Sequence, residues 1–262
     1  RNGRLAEGER FVPEETPIAF SYAGSTHAVM MATPADLEDF AVGFSVTEGI
    51  IVGPGEIEAI EVLVEDKGID VQIRLADTQN DALTARRRHM AGPVGCGLCG
   101  IESIEQAVRV TPSVRASCLT LSEDAVVEAI HLLNAQQPLH RVTRAVHGAG
   151  FYVPGEGLVA VREDVGRHNA LDKLVGAARR AGHAGDTGAV VVTSRVSVEM
   201  VQKTAIIGSP FIIAISAPTA LALRTAEEAG MTLIALVRGE EFEIFTGAER
   251  IVSGMERRIG NG

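Results

Sequence analysis

The sequence predicts an α/β fold, with a covered mixed sheet in the C-terminal part and a smaller α+β unit before it. From about residue 143 onward, short apolar strands alternate with helical patterns, which is typical of a largely parallel sheet covered on both faces. Earlier, residues 17–75 carry strand signals around a single helical pattern. We therefore divide the chain into an N-terminal domain, 1–115, and a C-terminal domain, 116–262.

The N-terminal domain is predicted to contain an antiparallel sheet with one covering helix. Alternating apolar residues indicate the strands, and a proline occupies the first helical position, where its missing N–H has no cost. The predicted elements are strands at Pro17–Tyr22 and Thr26–Thr33 joined by a turn at Ala23-Gly24, a helix from Pro34 to Gly49, and a hairpin over Val62–Leu75 that turns at Asp66-Lys67-Gly68.

A glycine-dense segment, Gly92–Gly100, follows a polar stretch and is predicted as a loop, because glycine weakens both helices and strands. A short helix is expected from Ile101, with its amide end facing Cys99. A connection over 110–121 then leads to Ser122, the predicted N-cap of the next helix.

The C-terminal domain is predicted from alternating strands and helices bounded by caps and turns. Its elements are strands at 144–153 and 158–163 around Pro154–Gly157, a helix at 167–180, a strand at 189–193, a helix at 198–207 capped by Ser197, a strand at 211–215, a helix at 218–229 closed by Gly230, and strands at 231–236 and 241–245.

Composition excludes several classes of function. The net charge of −10 repels polyanions, so a nucleic-acid coat protein is not expected and any phosphate must meet a local basic site. The absence of tryptophan disfavours base-stacking platforms. Arg1–Arg10 has no apolar core of a secretory signal, and three cysteines suit a reducing compartment, so we expect a cytoplasmic protein. The uncharged run Thr204–Leu223 is broken by glycine and proline, so it is interpreted as a helix end, a strand and a helix start rather than a membrane span.

The sharpest chemical feature is the C-x-x-C formed by Cys96 and Cys99. A thiolate is the reactive form of cysteine, and nearby cations or a helix amide end favour it. Arg86–Arg88 precede the pair and the predicted helix from Ile101 follows it, while glycines leave both sulfurs unshielded. Basic runs of this kind are also common on solvated faces.

Four interpretations of this pair remain open. A zinc site needs two further ligands. Cys118 is the only other cysteine, and the sequence has neither a second C-x-x-C nor a spaced histidine pair. A thioredoxin-type pair normally follows a strand, whereas Gly92-Pro93 precedes this one. The cysteines could be unreactive loop residues. The pattern favours the fourth interpretation, sulfur relay through a cysteine persulfide.

Two polar segments, Glu163–Lys173 and Ser194–Lys203, each join a predicted strand end to a helix start, where open α/β sheets bind ligands. Arg195 and Lys203 could pair with phosphate, and His168 or Asn169 with a base or pterin edge. The alternative is ordinary capping and salt bridging. Neither a dinucleotide-binding nor an NTPase glycine motif occurs.

Taken together, these segments resemble the formate dehydrogenase accessory sulfurtransferase family, FdhD/NarQ. The resemblance covers most of the chain and rests on several motifs in order: the Val29–Glu48 strand and helix leading into Gly49-Ile50-Ile51, Arg86–Arg88 with Gly95–Gly100, Asp164–His168 with Ala170–Lys173, and Ser194-Arg195 with Glu199–Lys203.

The resemblance implies a sulfurtransferase that takes persulfide sulfur from a cysteine desulfurase. The acceptor would be the bis-molybdopterin guanine dinucleotide form of the molybdenum cofactor (Mo-bisMGD), before this enters formate dehydrogenase. It also implies a cytidine-deaminase-like C-terminal domain and a homodimer, with Cys96 as the persulfide carrier and Cys99 as its partner. No metal site is implied, because the zinc signature of the deaminases is missing.

The family's cofactor-contacting segment falls, by this resemblance, between the last two predicted strands. It comprises Arg238, Gly239, Glu240, Glu241, Phe242 and Glu243. Glu240 and Glu241 depart from the less acidic turn that is expected, a change that backbone contacts would tolerate better than side-chain contacts. Two other functions stay open: a molybdenum-cofactor chaperone without sulfur chemistry, and a zinc-bound interaction module.

Overall fold

A computed structural model describes residues 8–76 and 110–252. The predicted persulfide pair, Cys96 and Cys99, and the basic run Arg86–Arg88 therefore lie outside the described residues, as do the glycine-rich loop and the short helix expected after it.

Residues 8–76 form a four-stranded sheet and one α-helix. The elements are β1 (Thr16–Tyr22), β2 (Ser25–Ala32), α1 (Leu37–Thr47), β3 (Ile57–Glu65) and β4 (Gly68–Leu75). The strand order is β2-β1-β4-β3. Both hairpins are antiparallel as predicted, but β1 and β4 pair in parallel, so the expectation of a wholly antiparallel sheet is wrong at this pairing. The long connection through α1 brings the second hairpin back beside β1.

Helix α1 begins three residues later than the sequence predicts. Asp36 is its N-cap and has a φ of 55°, in the left-handed region, and Leu37 is the first helical residue. The reason is that the backbone of Thr33 is engaged elsewhere. Its N–H donates to Asp164 Oδ2 at 3.0 Å and its carbonyl accepts from Lys173 Nζ at 2.7 Å. Pro34 therefore lies in a loop that is fixed by tertiary contacts.

The C-terminal part is built on a six-stranded sheet. Its elements, with two short strands that pair beside it, are β5 (Leu121–Ser122), α2 (Glu123–Ala135), α3 (Pro138–Thr143), β6 (His147–Val153), β7 (Gly157–Asp164), α4 (Arg167–Arg180), β8 (Ala189–Val192), α5 (Val198–Ile206), β9 (Phe211–Ala214), α6 (Ala220–Ala229), β10 (Thr232–Arg238), β11 (Glu241–Thr246) and β12 (Ile251–Val252). Ser122 caps α2 as predicted, since its side chain accepts from the Ala125 N–H at 3.1 Å. The sequence did not predict α3, and α6 begins after its cap Thr219 rather than at Pro218.

The large sheet is mixed, as the predicted fold class states, and its parallel part is smaller than the alternation of strands and helices indicates. Its order is β11-β10-β9-β8-β6-β7, in which only the β8–β9 and β9–β10 pairs are parallel. At either edge, β6 with β7 and β10 with β11 form antiparallel hairpins. The two strands of each hairpin are joined by a tight turn. Parallel pairing of these strands would need a longer crossover connection, so they pair antiparallel.

Helices cover the large sheet on both faces, as predicted. Alternate residues of each central strand point to opposite sides, so Val190 and Ile212 join the core on the side of α4, α5 and α6, whereas Val191 and Ile213 pack with α2. In the described ranges, no helix is both long and apolar enough to cross a membrane. The run Thr204–Leu223 instead ends α5, forms β9 and enters α6, as the sequence predicts.

Helices α1 and α4 join the two parts through an unusually close crossing. A Cβ added at Gly43 would lie 1.7 Å from the Asp172 carbonyl oxygen, and one added at Gly176 would lie 1.8 Å from the Asp39 carbonyl oxygen. Because both positions are glycine, the two backbones come into direct contact. The core under the N-terminal sheet is in this way continuous with the α4 side of the large sheet.

Candidate ligand edge of the large sheet

One edge of the large sheet gathers several candidate residues. The parallel strands β8, β9 and β10 end there, β6 begins there and β7 ends there, as the His147–Asp164 and Ala149–Val192 pairings require. Helices α4, α5 and α6 follow β7, β8 and β9, so they begin at the same edge. Helix starts present unsatisfied N–H groups and favour anions. We call this region the ligand edge.

His168 lies at the ligand edge in a contact between two helix starts. Its Nε2 is 2.9 Å from Glu199 Oε2 and 3.4 Å from Ser197 Oγ. The bond from His168 is the main reason that the pKa of Glu199 is lowered, with burial opposing it. Ser197 is the N-cap residue of α5 as predicted, but its side chain contacts His168 and makes no cap bond. Helices α4 and α5 thus both begin without a side-chain cap.

His147 lies at the start of β6, beside the same cluster. Its pKa is lowered, first by partial burial and then by the charge of Arg167, while Asp164 opposes the shift. A histidine with a lowered pKa is held in its neutral form in the folded protein.

We expect stability to fall on acidification because of His147. Between its unfolded pKa, near 6.5, and its lower folded value, the unfolded chain binds a proton that the folded chain resists, so the free energy of unfolding decreases as the pH drops through this window. His147→Gln should flatten that decrease in urea titrations at a series of pH values. The same substitution at the exposed His131 should leave it unchanged; an unaltered slope in His147→Gln would contradict the assignment.

Arg195 lies in the loop after β8 and is exposed. The next residue, Val196, forms an isolated parallel bridge with Pro218, so the loops that follow β8 and β9 lie side by side. Ser197, two positions after Arg195, contacts His168. The fold therefore brings Arg195 and His168, which the sequence placed in separate motifs, to the same edge.

The segment predicted to contact the cofactor forms the hairpin between β10 and β11. Arg238 ends β10, Gly239 and Glu240 form the turn, and Glu241–Glu243 belong to β11. Arg238 lies at the ligand edge, at the end of β10. Since β10 is two strands from β8 in the sheet, ordinary strand spacing puts the ends of these two strands about 10 Å apart. Its contact with a cofactor stays a prediction.

The side chains of Glu240 and Phe242 turn toward helix α2. They line an open groove together with Glu123, Asp124, Glu128 and His131 of that helix. The carboxylates of this groove repel phosphate, so a polyanionic ligand is better met by the Gly239 backbone and Arg238 than by Glu240.

Lys203 and Asn169 do not face a ligand, which corrects two of the sequence-based assignments. Lys203 Nζ lies 2.7 Å from both oxygens of Asp172, which is fully buried. Burial lowers the pKa of Lys203, but Asp172 and Glu48 more than offset this and the net shift is upward. Asn169 donates to the Met31 carbonyl at 2.9 Å and to Asp164 at 3.0 Å. Both side chains are used for internal bonding, the alternative that the sequence had left open.

A second buried ion pair fixes the turn that carries Arg167 and His168. Lys173 Nζ is 2.7 Å from Asp164 Oδ2, and both side chains are fully buried. Asp164 also accepts from the Gly166 N–H at 2.8 Å, and Thr33 N–H binds the same carboxylate. The sequence did not single out Thr33 or Glu199 within their segments, because their partners lie on distant elements.

Comparison with known proteins agrees with this architecture. Residues 13–252 match the FdhD/NarQ family. The chain belongs to that family. A protein of Agrobacterium fabrum named sulfur carrier protein FdhD is 67% identical over 252 residues, which are 96% of this chain and 93% of the relative. A protein of the same name from Brucella abortus is 58% identical, over 96% and 94% of the two chains.

A solved structure supports the fold of this FdhD/NarQ chain. The crystal structure of a protein assigned as a formate dehydrogenase accessory protein, from Desulfotalea psychrophila, superposes with a TM-score of 0.75 at 29% sequence identity. The match covers 96% of this chain and 95% of the other. The family and the α/β fold are therefore confirmed, whereas the deaminase-like character of the C-terminal domain stays a prediction.

Proposed function

We propose that this FdhD/NarQ protein carries persulfide sulfur on Cys96 from a cysteine desulfurase to the molybdenum cofactor Mo-bisMGD, for the maturation of formate dehydrogenase. The proposal rests on one observation: the chain belongs to the FdhD/NarQ family, and similar proteins in that family are named sulfur carrier proteins. The C-x-x-C supplies the sulfur chemistry that such a name requires, and we place the protein in the cytoplasm as a homodimer.

The chemistry at Cys96 is exchange between sulfur atoms. The Cys96 thiolate attacks the outer sulfur of the desulfurase persulfide, forms a new S–S bond and releases the desulfurase cysteine as a thiolate. In the second transfer the acceptor supplies the electron pair that bonds to the outer sulfur, the S–S bond to Cys96 breaks, and Cys96 leaves as a thiolate. Cys99 lies three positions away, where it can shield or resolve the persulfide.

The acceptor is a substrate with anionic diphosphate groups, and the ligand edge suits such groups. Arg167 and Arg195 bring positive charge to two helix starts that have no side-chain cap. In a chain with a net charge of −10, this local field is needed to hold a polyanion. The acidic groove beside α2 does not fit these groups.

The decisive experiment is intact-protein mass spectrometry after incubation with a cysteine desulfurase and cysteine. We expect a mass increase of one sulfur atom that reducing agent removes and that peptide mapping places on the C-x-x-C. Cys118 is an exposed free cysteine and supplies a matched control, so Cys118→Ser should gain sulfur normally. A chain that binds the cofactor but gains no sulfur would instead be a cofactor chaperone, and stoichiometric zinc would support an interaction module.

A further inference from the structure

The His168 imidazole is held from one side only. Nε2 is 2.9 Å from Glu199 Oε2 and 3.4 Å from Ser197 Oγ, and these are the ring's hydrogen-bonding contacts within the described parts of the chain. The side chains of His168 and Glu199 remain 27% and 29% exposed, so a ligand can reach the pair from solvent.

The Glu199 carboxylate decides which ring nitrogen carries the proton. An ionised carboxylate can only accept, so Nε2 must donate to it, and in the neutral ring Nδ1 then has a free lone pair. The lowered pKa of Glu199 keeps this carboxylate ionised at neutral pH. When the ring gains a proton it is therefore Nδ1 that becomes a new N–H donor.

We propose that Glu199 is a positioning residue, which fixes His168 so that protonated Nδ1 donates to an anionic oxygen of a guanine nucleotide diphosphate at the ligand edge. This inference rests on the proposed function for its ligand, since Mo-bisMGD contains guanine nucleotides linked through diphosphates. It adds a pH dependence and a role for Glu199.

The surrounding charges favour an anion at this position. Arg167 adds positive charge from the start of α4, close enough to act on both His147 and Glu199. His147 faces the cluster from β6 and is held neutral, while Asp164 is already paired with Lys173. From α5, Lys203 acts on Glu199 but is saturated by Asp172 and Glu48.

The first test needs no ligand. In ¹⁵N-labelled protein at about pH 8.5, well above the ordinary histidine range, ring ¹⁵N shifts should report His168 as the Nε2–H tautomer. In Glu199→Gln, whose amide can donate as well as accept, the two tautomers should mix. A predominant Nδ1–H form in the unsubstituted protein overturns the inference, whatever becomes of sulfur transfer.

The second test measures the affinity for GDP by calorimetry from about pH 8.5 to about pH 6, a range that spans histidine protonation. The unsubstituted protein should gain affinity as the pH falls, and Glu199→Gln should lose about fivefold at the acid end, the worth of a partly exposed ion pair. In His168→Gln, the increase in GDP affinity at low pH should shrink to the part that comes from titration of the nucleotide itself. The nucleotide's own phosphate titration is common to all three proteins and cancels in the comparison.

Two matched controls separate local from general effects. Glu228→Gln removes one carboxylate from the exposed end of α6, and His131→Gln removes one exposed histidine from α2. Both should follow the unsubstituted profile. Equal profiles for Glu199→Gln and Glu228→Gln, or no GDP binding at about pH 6, would overturn the inference. Persulfide formation on Cys96 is measured independently, so it distinguishes this failure from a failure of the proposed function.

Discussion

Cys96→Ala is expected to abolish sulfur transfer and to leave formate dehydrogenase inactive in cells that depend on this chain for maturation. Alanine has no thiolate, so neither sulfur–sulfur exchange can occur at that position. The substitution removes one sulfur atom from a glycine-rich segment of the sequence, so folding and GDP binding should be retained. Formate oxidation by the matured enzyme is the measurement.

Two further variants interpret this result. Cys118→Ser should support full maturation, since that cysteine lies in the 110–121 connection rather than in the C-x-x-C. If Cys99 acts after Cys96 has received its sulfur, Cys99→Ala should keep a persulfide on Cys96. If Cys99 is needed for Cys96 to receive sulfur, Cys99→Ala should show no mass increase after incubation with the desulfurase. Full maturation by Cys96→Ala would sink the assignment of the sulfur carrier.

Gly176→Val is expected to have the largest effect on stability. Even a Cβ at this position would lie 1.8 Å from the Asp39 carbonyl oxygen, far inside contact distance, and the obstacle is backbone that cannot rotate away. The helices α1 and α4 would have to separate, which opens the core between the two sheets. We expect a loss of about 3 kcal/mol or more in the free energy of unfolding, measured by urea denaturation.

The smaller change Gly176→Ala sharpens this test, because alanine improves intrinsic helix propensity by about 1 kcal/mol and should still destabilise. Gly55→Ala is the matched control. A Cβ there would meet nothing within 4 Å, and the expected change is within about 0.5 kcal/mol. If Gly176→Ala were as stable as the unsubstituted protein, the crossing would not be as close as described.

The sequence predicts an element correctly where its limits depend only on residues within or next to that element. Helix α4 has the predicted limits, 167–180, because its apolar periodicity is complete and Gly166 bounds it. Ser122 was recognised as a cap because capping is a local interaction. The start of α1 was wrong because the position of Pro34 depends on bonds from Thr33 to Asp164 and Lys173, more than a hundred residues away.

The candidate site was predictable only in part for the same reason. The rule that ligands meet the carboxyl ends of parallel strands correctly brought His168 and Arg195 to one edge. It could not separate side chains that face outward from those used in internal ion pairs. Lys203 and Asp172 lie on different helices, so their contact becomes visible only when α4 and α5 pack together.

The bonds around Asp164 bear on whether the chain can be cut into independent parts. This buried carboxylate binds a backbone amide from Thr33, while Lys173 donates to the carbonyl of the same residue. A fragment that starts at residue 116 would bury a lysine that has lost one acceptor and a carboxylate that has lost one donor, each a costly deficit. Expressed alone, the C-terminal half should therefore misfold or aggregate, and adding residues 8–76 in trans should rescue it.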